Sequence, residues 1–317
     1  MSILVTGATG FVGRALGEAL QQRGMPVRLA SRRTLDGHVA MPSLSGHSDW
    51  RPLVAGCDAV VHLAARVHHR GEHGQAAEAL YADENAAATL SLARQAAQNG
   101  VRRFVFLSSV KVHGDQSAKG RPFREDDPLE PEDAYGRSKR DAEKGLFQLG
   151  AESGLEVVVV RPPLVYGPGV GANFRSLMQA VGRGLPLPFS TVENLRSLVG
   201  LENLCDFVAL TLIHPAAAGE AFLVSDGEDV STGQLVRLMG EALGRPARLF
   251  PVPKPLLVAG LRAIGRGGMA MRLLDDLQVD IGKAKRRLGW RPPVSLSDGL
   301  RRVANQPPGT ADGSPRA

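Results

Sequence analysis

Short apolar runs alternate with stretches of helical spacing along the first half of the chain. Residues 2–6 (SILVT) form an apolar run that predicts a buried strand. Residues 14–23 (RALGEALQQR) space their apolar positions as a helix does and stop at Gly24. The alternation continues with predicted strands at 27–31, 58–65, 104–107 and 156–160, and a predicted helix at 85–99 (NAAATLSLARQAAQN). Unbroken apolar strands separated by helices imply a parallel sheet covered on both faces. The fold class that follows is α/β, an open, doubly wound parallel sheet. A return strand or two is expected from about 196–226. Residues 1–165 plus about 196–226 then make the larger domain, and 166–195 plus 227–303 a smaller one. Residues 304–317, ending QPPGTADGSPRA, are rich in Pro and Gly and are expected to be a disordered tail.

The first strand runs straight into Gly7-Ala-Thr-Gly10-Phe-Val-Gly13. Glycines at these three positions permit a tight turn, close backbone approach to a pyrophosphate, and close strand–helix packing. The helix that follows offers unpaired N–H groups and the positive end of its dipole to phosphates. A strand–glycine–helix unit at this point makes the sheet a Rossmann-type dinucleotide-binding fold. An acidic residue about 20 positions on would select NAD by holding the ribose hydroxyls. Here the second strand ends Ala30-Ser31-Arg32-Arg33, and Asp36 lies too far beyond it. A serine and two guanidiniums suit a 2′-phosphate through charge-assisted bonds, so NADP(H) is favoured, with NAD(H) possible.

Ligands of such sheets bind beyond the carboxyl ends of the strands, and the remaining chemistry falls there. Tyr135-Gly-Arg-Ser-Lys139 sets a phenol and an ammonium one helical turn apart, with Ser109 upstream in Phe-Leu-Ser-Ser. The ammonium favours the phenolate and is expected to lower a phenol pKa that is ordinarily about 10. A serine hydroxyl beside it can bond the oxygen that gains or loses the proton. Together these groups equip a site to move a hydride between a carbinol and a ketone. The chain uses 31 Arg and only 7 Lys, so a lysine at this spot is not a product of composition.

Composition narrows the class without choosing the reaction. The 317 residues are 43% hydrophobic and 22% charged, which suits a globular chain of one large or two unequal domains. Cys57 and Cys205 look like core thiols of a reducing compartment, and a cytoplasmic location is expected. A net charge of +6 without aromatic–basic interleaving suits anionic small molecules better than nucleic acid. Residues 255–274 are the most apolar stretch, but Arg262, Arg266 and Arg272 interrupt it. A core helix is expected there rather than an interfacial anchor or a membrane span. His68, His69 and His73 lie in a polar loop with no cysteine near, and a loop over the substrate cleft is expected rather than a metal site.

These motifs jointly resemble the extended short-chain dehydrogenase/reductase family of nucleotide-sugar epimerases, dehydratases and 4-keto-reductases. The likeness runs through Gly7-x-x-Gly10-x-x-Gly13, Asp58-x-Val-x-His-Leu-Ala-Ala65, Asn85, Ser109-x-x-Val-His-Gly114, Tyr135-x-x-x-Lys139, Arg161-Pro-x-x-Val-Tyr-Gly-Pro168 and Lys283-Ala-x-x-x-Leu-Gly-Trp290. The resemblance implies that Tyr135 is the acid/base, Lys139 its pKa modulator and a ribose ligand, and Ser109 the partner of the reacting oxygen. It implies cofactor contacts from Phe11, Val12, Leu63, Ala64, Ala65, Asn85 and Pro162 besides the glycines. Asn173 and Arg196 would touch the diphosphate of a UDP-sugar, the smaller domain would bind that substrate, and a homodimer is expected.

Departures from the family pattern narrow the chemistry further. Dehydratases carry an acidic pair directly after the catalytic Ser/Thr; Val110-Lys111 stands there, which argues against dehydration. Lys111 is either a substrate contact or a solvated strand-end lysine, and His113 is not expected to be catalytic. The turn that often seats the adenine reads Pro42-Ser43-Leu44. The favoured reaction is NADPH-dependent reduction of the C4 ketone of a UDP-linked 6-deoxy sugar for surface polysaccharide, with a UDP-sugar 4-epimerase as the alternative. A non-catalytic dinucleotide sensor is the reading from another class, and the joint presence of Ser109, Tyr135 and Lys139 argues against it.

Overall fold

A computed structural model describes all residues except 34, 68–73, 264, 266 and 306–317. Residues 306–317 of the expected tail and the three loop histidines therefore lie outside the described residues. The chain begins β1 (Ile3–Thr6), α1 (Phe11–Gln22), β2 (Val27–Ser31) and β3 (His38–Ala40). It continues through α2 (Arg51–Val54), β4 (Ala59–His62), α3 (Gln75–Tyr81), α4 (Ala88–Gln98) and β5 (Arg103–Leu107). Then come α5 (Ala134–Ser153), β6 (Glu156–Arg161), β7 (Leu164–Tyr166), α6 (Ala172–Gly182), β8 (Leu198–Gly200), α7 (Leu201–Ile213) and β9 (Glu220–Leu223). The last helices are α8 (Thr232–Ala242), α9 (Lys254–Ala263), α10 (Gly267–Leu274), α11 (Gly282–Leu288) and α12 (Leu296–Ala304).

Seven strands form one parallel sheet in the order β3-β2-β1-β4-β5-β6-β9, so the winding reverses between β1 and β4. Register aligns Thr6 with Ala30 on one side and His62 on the other, and His62 in turn with Phe106. The carboxyl ends of β1, β4 and β5 therefore finish level, at the switch point where such sheets take their ligands. The central strands are buried along their length because helices cover both faces. One face packs Leu16, Leu20, Phe207, Phe222 and Trp290; the other packs Trp50, Leu92, Phe104 and Leu146. A third cluster gathers Tyr166, Phe174, Met178, Phe189, Val236, Met239 and Leu257 beyond the short parallel pair β7–β8.

One observed strand of the main sheet was not predicted, and two predicted helices differ from the observed ones. Edge strand β3 was not predicted; it has three half-buried or exposed residues and no apolar run to announce it. The predicted helix 85–99 starts earlier, as a π-helical turn over residues 82–87 that runs into α4. Extra residues in a helical turn turn a side chain toward a site, and here that side chain is Asn85. The predicted core helix over 255–274 is two short helices, with Gly265 at φ +70 between them. No helix among the described residues is long and apolar enough to cross a membrane.

Candidate active site

The glycine turn between β1 and α1 has no room for side chains. Gly7 sits at φ +69, and a Cβ there would lie 2.7 Å from the Ala64 nitrogen. A Cβ on Gly13 would fall 2.2 Å from the Gly7 carbonyl oxygen. No side chain caps α1, whose N-cap is Gly10, so Phe11 and Val12 open its first turn with backbone N–H groups unclaimed by a cap. That is the cradle a pyrophosphate needs, and the residues fit a dinucleotide. At the far end, Ser31 is buried and its Oγ accepts the Arg33 N–H at 3.0 Å, while Arg32 and Arg33 are exposed. Ser31 thus closes the turn that presents the two arginines.

A line of hydrogen bonds joins this turn to the helix behind it. The Ala64 N–H donates to Thr6 Oγ1 at 3.4 Å, and Thr6 Oγ1 meets His62 Nδ1 at 2.7 Å. His62 Nε2 meets Thr89 Oγ1 at 3.0 Å, and Thr89 donates to the Asn85 carbonyl at 2.5 Å. Because Thr89 spends its proton on Asn85, it accepts from Nε2–H, which leaves Nδ1 to accept from Thr6. Burial, with the Lys139 charge adding, pulls His62 down to about 3, so the ring is neutral and serves as a strut. Asn85, expected beside the cofactor, is held by its side chain on both sides. Its amide donates to the Arg66 carbonyl and to Ser138 Oγ, both at 3.0 Å, and its oxygen accepts the Arg66 N–H at 2.7 Å. Buried and so committed, its side chain holds the segment after β4 against α5.

Ser109, Tyr135 and Lys139 converge at the carboxyl end of β5. Leu107 ends that strand; two residues on, Ser109 caps a 3-10 turn by accepting the Lys111 N–H at 3.2 Å. Leu63 donates its N–H to the Thr6 carbonyl at 3.3 Å, and the Pro162 carbonyl accepts from Val110 at 3.0 Å, closing the rim on either side. Lys139 is 2% exposed, with Nζ donating to the Leu107 carbonyl at 2.8 Å. That ammonium stands 4.4 Å over the Phe106 ring and 5.9 Å from the Tyr135 ring centre. Tyr135 is half-buried and meets Tyr81 edge-on at 6.4 Å.

In this structure burial outweighs the pull of the ammonium on the phenol. Burial pushes Tyr135 above its ordinary value, and the charges of Asp133 and Tyr81 add to the rise. Burial also pulls Lys139 down to about 7, against the opposing pull of Glu143. Both groups lose more from leaving water than they gain from each other, and the ammonium is spent on a carbonyl.

Two supporting clusters were not legible as such. Glu143 and Arg161, both buried, form an ion pair at 2.7 Å, and Ser108 also donates to Glu143. Glu143 follows Lys139 by one helical turn on the face that carries Tyr135, which was the available signal. Arg161 Nη1 reaches His113 Nε2 at 3.1 Å, and burial holds His113 down to about 4, a neutral ring consistent with no catalytic role. The second cluster is built on Lys111. Its ammonium bonds Asp133 and, at 2.9 Å, Asp115. Asp133 also accepts the Gly136 N–H at 2.7 Å and so caps α5. Lys111 therefore anchors the start of the helix that carries Tyr135.

The remaining candidates sit toward the third cluster. Arg196 is half-buried, exchanges backbone hydrogen bonds with Val230, and gives Nη1 to the Asp275 carbonyl at 2.9 Å. Asn173 is exposed on α6. Ala65 follows Ala64 beyond β4, and Leu44 of the expected adenine turn is buried.

The profile of the NAD dependent epimerase/dehydratase family matches residues 3–225. A Vibrio cholerae protein described as UDP-glucose 4-epimerase is 42% identical over 309 residues, which cover 96% of this chain and 94% of that one. The solved UDP-N-acetylglucosamine 4-epimerase from Bacillus cereus superposes with a TM-score of 0.78 at 20% identity, over 96% of this chain and 95% of that one. The solved structure of MoeE5 in complex with UDP-glucuronic acid and NAD gives 0.75 at 26% identity, over 96% and 98%.

Proposed function

Because this chain belongs to the NAD dependent epimerase/dehydratase family, we propose that it is a 4-epimerase of a UDP-linked sugar that keeps its nicotinamide cofactor bound. NAD-dependent epimerase or reductase chemistry comes with the family; the choice of epimerisation rests on one observation. The 42% identity to a UDP-glucose 4-epimerase runs through nearly the whole of both chains, the part beyond the Rossmann sheet included. That shifts the weight away from the C4-ketone reduction favoured by the sequence, since both reactions use Ser109, Tyr135 and Lys139.

The residues divide the work as follows. Gly7, Gly10 and Gly13, with the N–H groups of Phe11 and Val12, would hold the pyrophosphate, and Leu63, Ala64 and Ala65 would flank the cofactor. NAD, when bound, supplies the acceptor and donor of the hydride. Tyr135 takes the proton from the C4 hydroxyl as the carbinol is oxidised and gives it back as the ketone is reduced from the other face. Ser109 donates a hydrogen bond to the same oxygen, which carries most negative charge midway. Lys139 would supply positive charge 5.9 Å from the ring centre, opposing the cost that burial puts on a phenolate. The residues around the third cluster, 166–195 and 227–303, would close over the sugar nucleotide, with Asn173 and Arg196 reaching its diphosphate. Two copies would pair through the helices that carry Asn85 and Tyr135.

Incubation with UDP-glucose or UDP-N-acetylglucosamine is expected to invert C4 with no net consumption of added NADH or NADPH. Stoichiometric NADPH oxidation on a UDP-4-keto-6-deoxy-N-acetylhexosamine, with no C4 inversion of the hydroxy sugars, would instead establish the reductase.

That second reading has its own support in the exposed pair Arg32 and Arg33 beside the buried Ser31. If those guanidiniums hold a 2′-phosphate, changing both to Ala weakens NADPH binding by about 10- to 100-fold, the scale of charge-assisted hydrogen bonds, and leaves NADH nearly unchanged. Titration of nucleotide-free protein by calorimetry measures it; equal small changes for both nucleotides would discard the phosphate site.

A further inference from the structure

The most apolar stretch of the chain is only half buried. Leu257, Ala270 and Leu274 of α9 and α10 enter the third cluster, but Leu256 is 64% exposed and Met271 46%. Phe250, just ahead of α9, is 42% exposed. Large apolar side chains left in water within one short segment are candidates for a contact surface.

Charge says what kind of surface this is. Residues 242–274 hold Arg245, Arg248, Lys254, Arg262, Arg266 and Arg272 and no Asp or Glu, although the chain as a whole has 32 acidic residues against 38 basic. On α9, Lys254 and Arg262 stand at the ends of an open cavity of about 470 Å³ lined by Pro255, Val258 and Ala259. Lys254 is tied to Asp275 at 2.9 Å, a carboxylate just past the end of α10. A second copy of the chain meeting this face symmetrically would oppose cation to cation, which disfavours pairing.

We propose that the α9–α10 pair docks on an anionic phospholipid surface, with Leu256 and Met271 entering the acyl boundary and the flanking cations meeting headgroup phosphates. Exposed apolar side chains in a segment whose charges are all Lys and Arg are the equipment of an interfacial helix, and helices of 10 and 8 residues are too short to span. Anionic lipid supplies the negative charge that this segment lacks. α10 leads directly to Asp275, whose carbonyl holds Arg196, so docking brings the bilayer beside the same rim of the molecule. The proposal does not depend on which sugar is turned over, and its test reads binding.

Full-length protein is sedimented with vesicles of phosphatidylcholine alone or mixed with phosphatidylglycerol. The wild type is expected to pellet with the mixed vesicles at low ionic strength, to be released by about 0.5 M salt, and to ignore pure phosphatidylcholine. Leu256→Asp combined with Met271→Asp should lower partitioning at least ~10-fold, and Arg262→Glu should lower it as well, with dinucleotide binding retained. Three results overturn the proposal: a wild type that ignores anionic vesicles, variants that bind them as the wild type does, or an oligomer that Leu256→Asp dissociates while vesicles stay unbound. The last would mean that a second copy covers the face.

Discussion

Tyr135→Phe is expected to lower turnover at least ~100-fold while leaving substrate and dinucleotide binding nearly unchanged, the usual scale for removing a general acid–base group. The phenyl ring keeps its edge contact with Tyr81 and its place near the Lys139 ammonium. What disappears is the one proton that the site can exchange with C4 oxygen. Ser109 does not replace it, because an unactivated hydroxyl is far too weak an acid or base near neutral pH. Single-turnover and steady-state assays on a UDP-hexose measure the change, and near-normal turnover by the variant would remove Tyr135 from the mechanism.

The sheet was legible because its strands are buried on both faces. β1, β4 and β6 read as apolar runs whichever face a residue meets, and their order followed from the helices between them. The glycine turn was equally plain, since only glycine fits where a Cβ would sit 2.2 Å from the Gly7 carbonyl. What stayed hidden are partners that arrive from far along the chain. Nothing near Lys111 in sequence says that Asp133, on the next helix's cap, will claim its ammonium. Asn85 was recognised as important, but its work on Arg66 and Ser138 depends on a π-helical turn that leaves no mark in the apolar spacing. Residues 255–274 misled for the opposite reason: hydrophobicity gives the amount of apolar surface and not whether the molecule covers it.

The expected lowering of the tyrosine pKa failed on a point of energetics. Spacing brings the ammonium within reach of the phenol, but it does not reveal that both leave water when α5 docks on β5. Desolvation acts on each group separately and opposes the charge on both. In a site of this kind the favourable pairing needs more than proximity, and the ammonium here already has the Leu107 carbonyl.

Lys139→Met should therefore separate function from stability. Without the ammonium, nothing nearby favours a phenolate at Tyr135, and turnover is expected to fall at least ~100-fold, as for loss of the acid–base group itself. Stability of nucleotide-free protein should move the other way. The folded-state pKa of about 7 lies below the ordinary lysine value of 10.5, so the unfolded chain holds the proton more tightly. Between those two values stability rises with pH, because the unfolded state binds more protons. Below about pH 7 the lysine is charged in both states and the folded state bears the whole cost of burying that charge. Above about 10.5 it is neutral in both and the cost is gone. Methionine, of similar length and uncharged, escapes the cost at every pH, although it gives up the bond to Leu107 and the contact over Phe106. Thermal or urea unfolding of both proteins at pH 6 and at pH 10 is expected to show the variant ahead at pH 6, with the gap closing toward pH 10. The same gap at both values, or a wild type ahead at pH 6, would mean that the Leu107 bond and Glu143 compensate the buried charge in full.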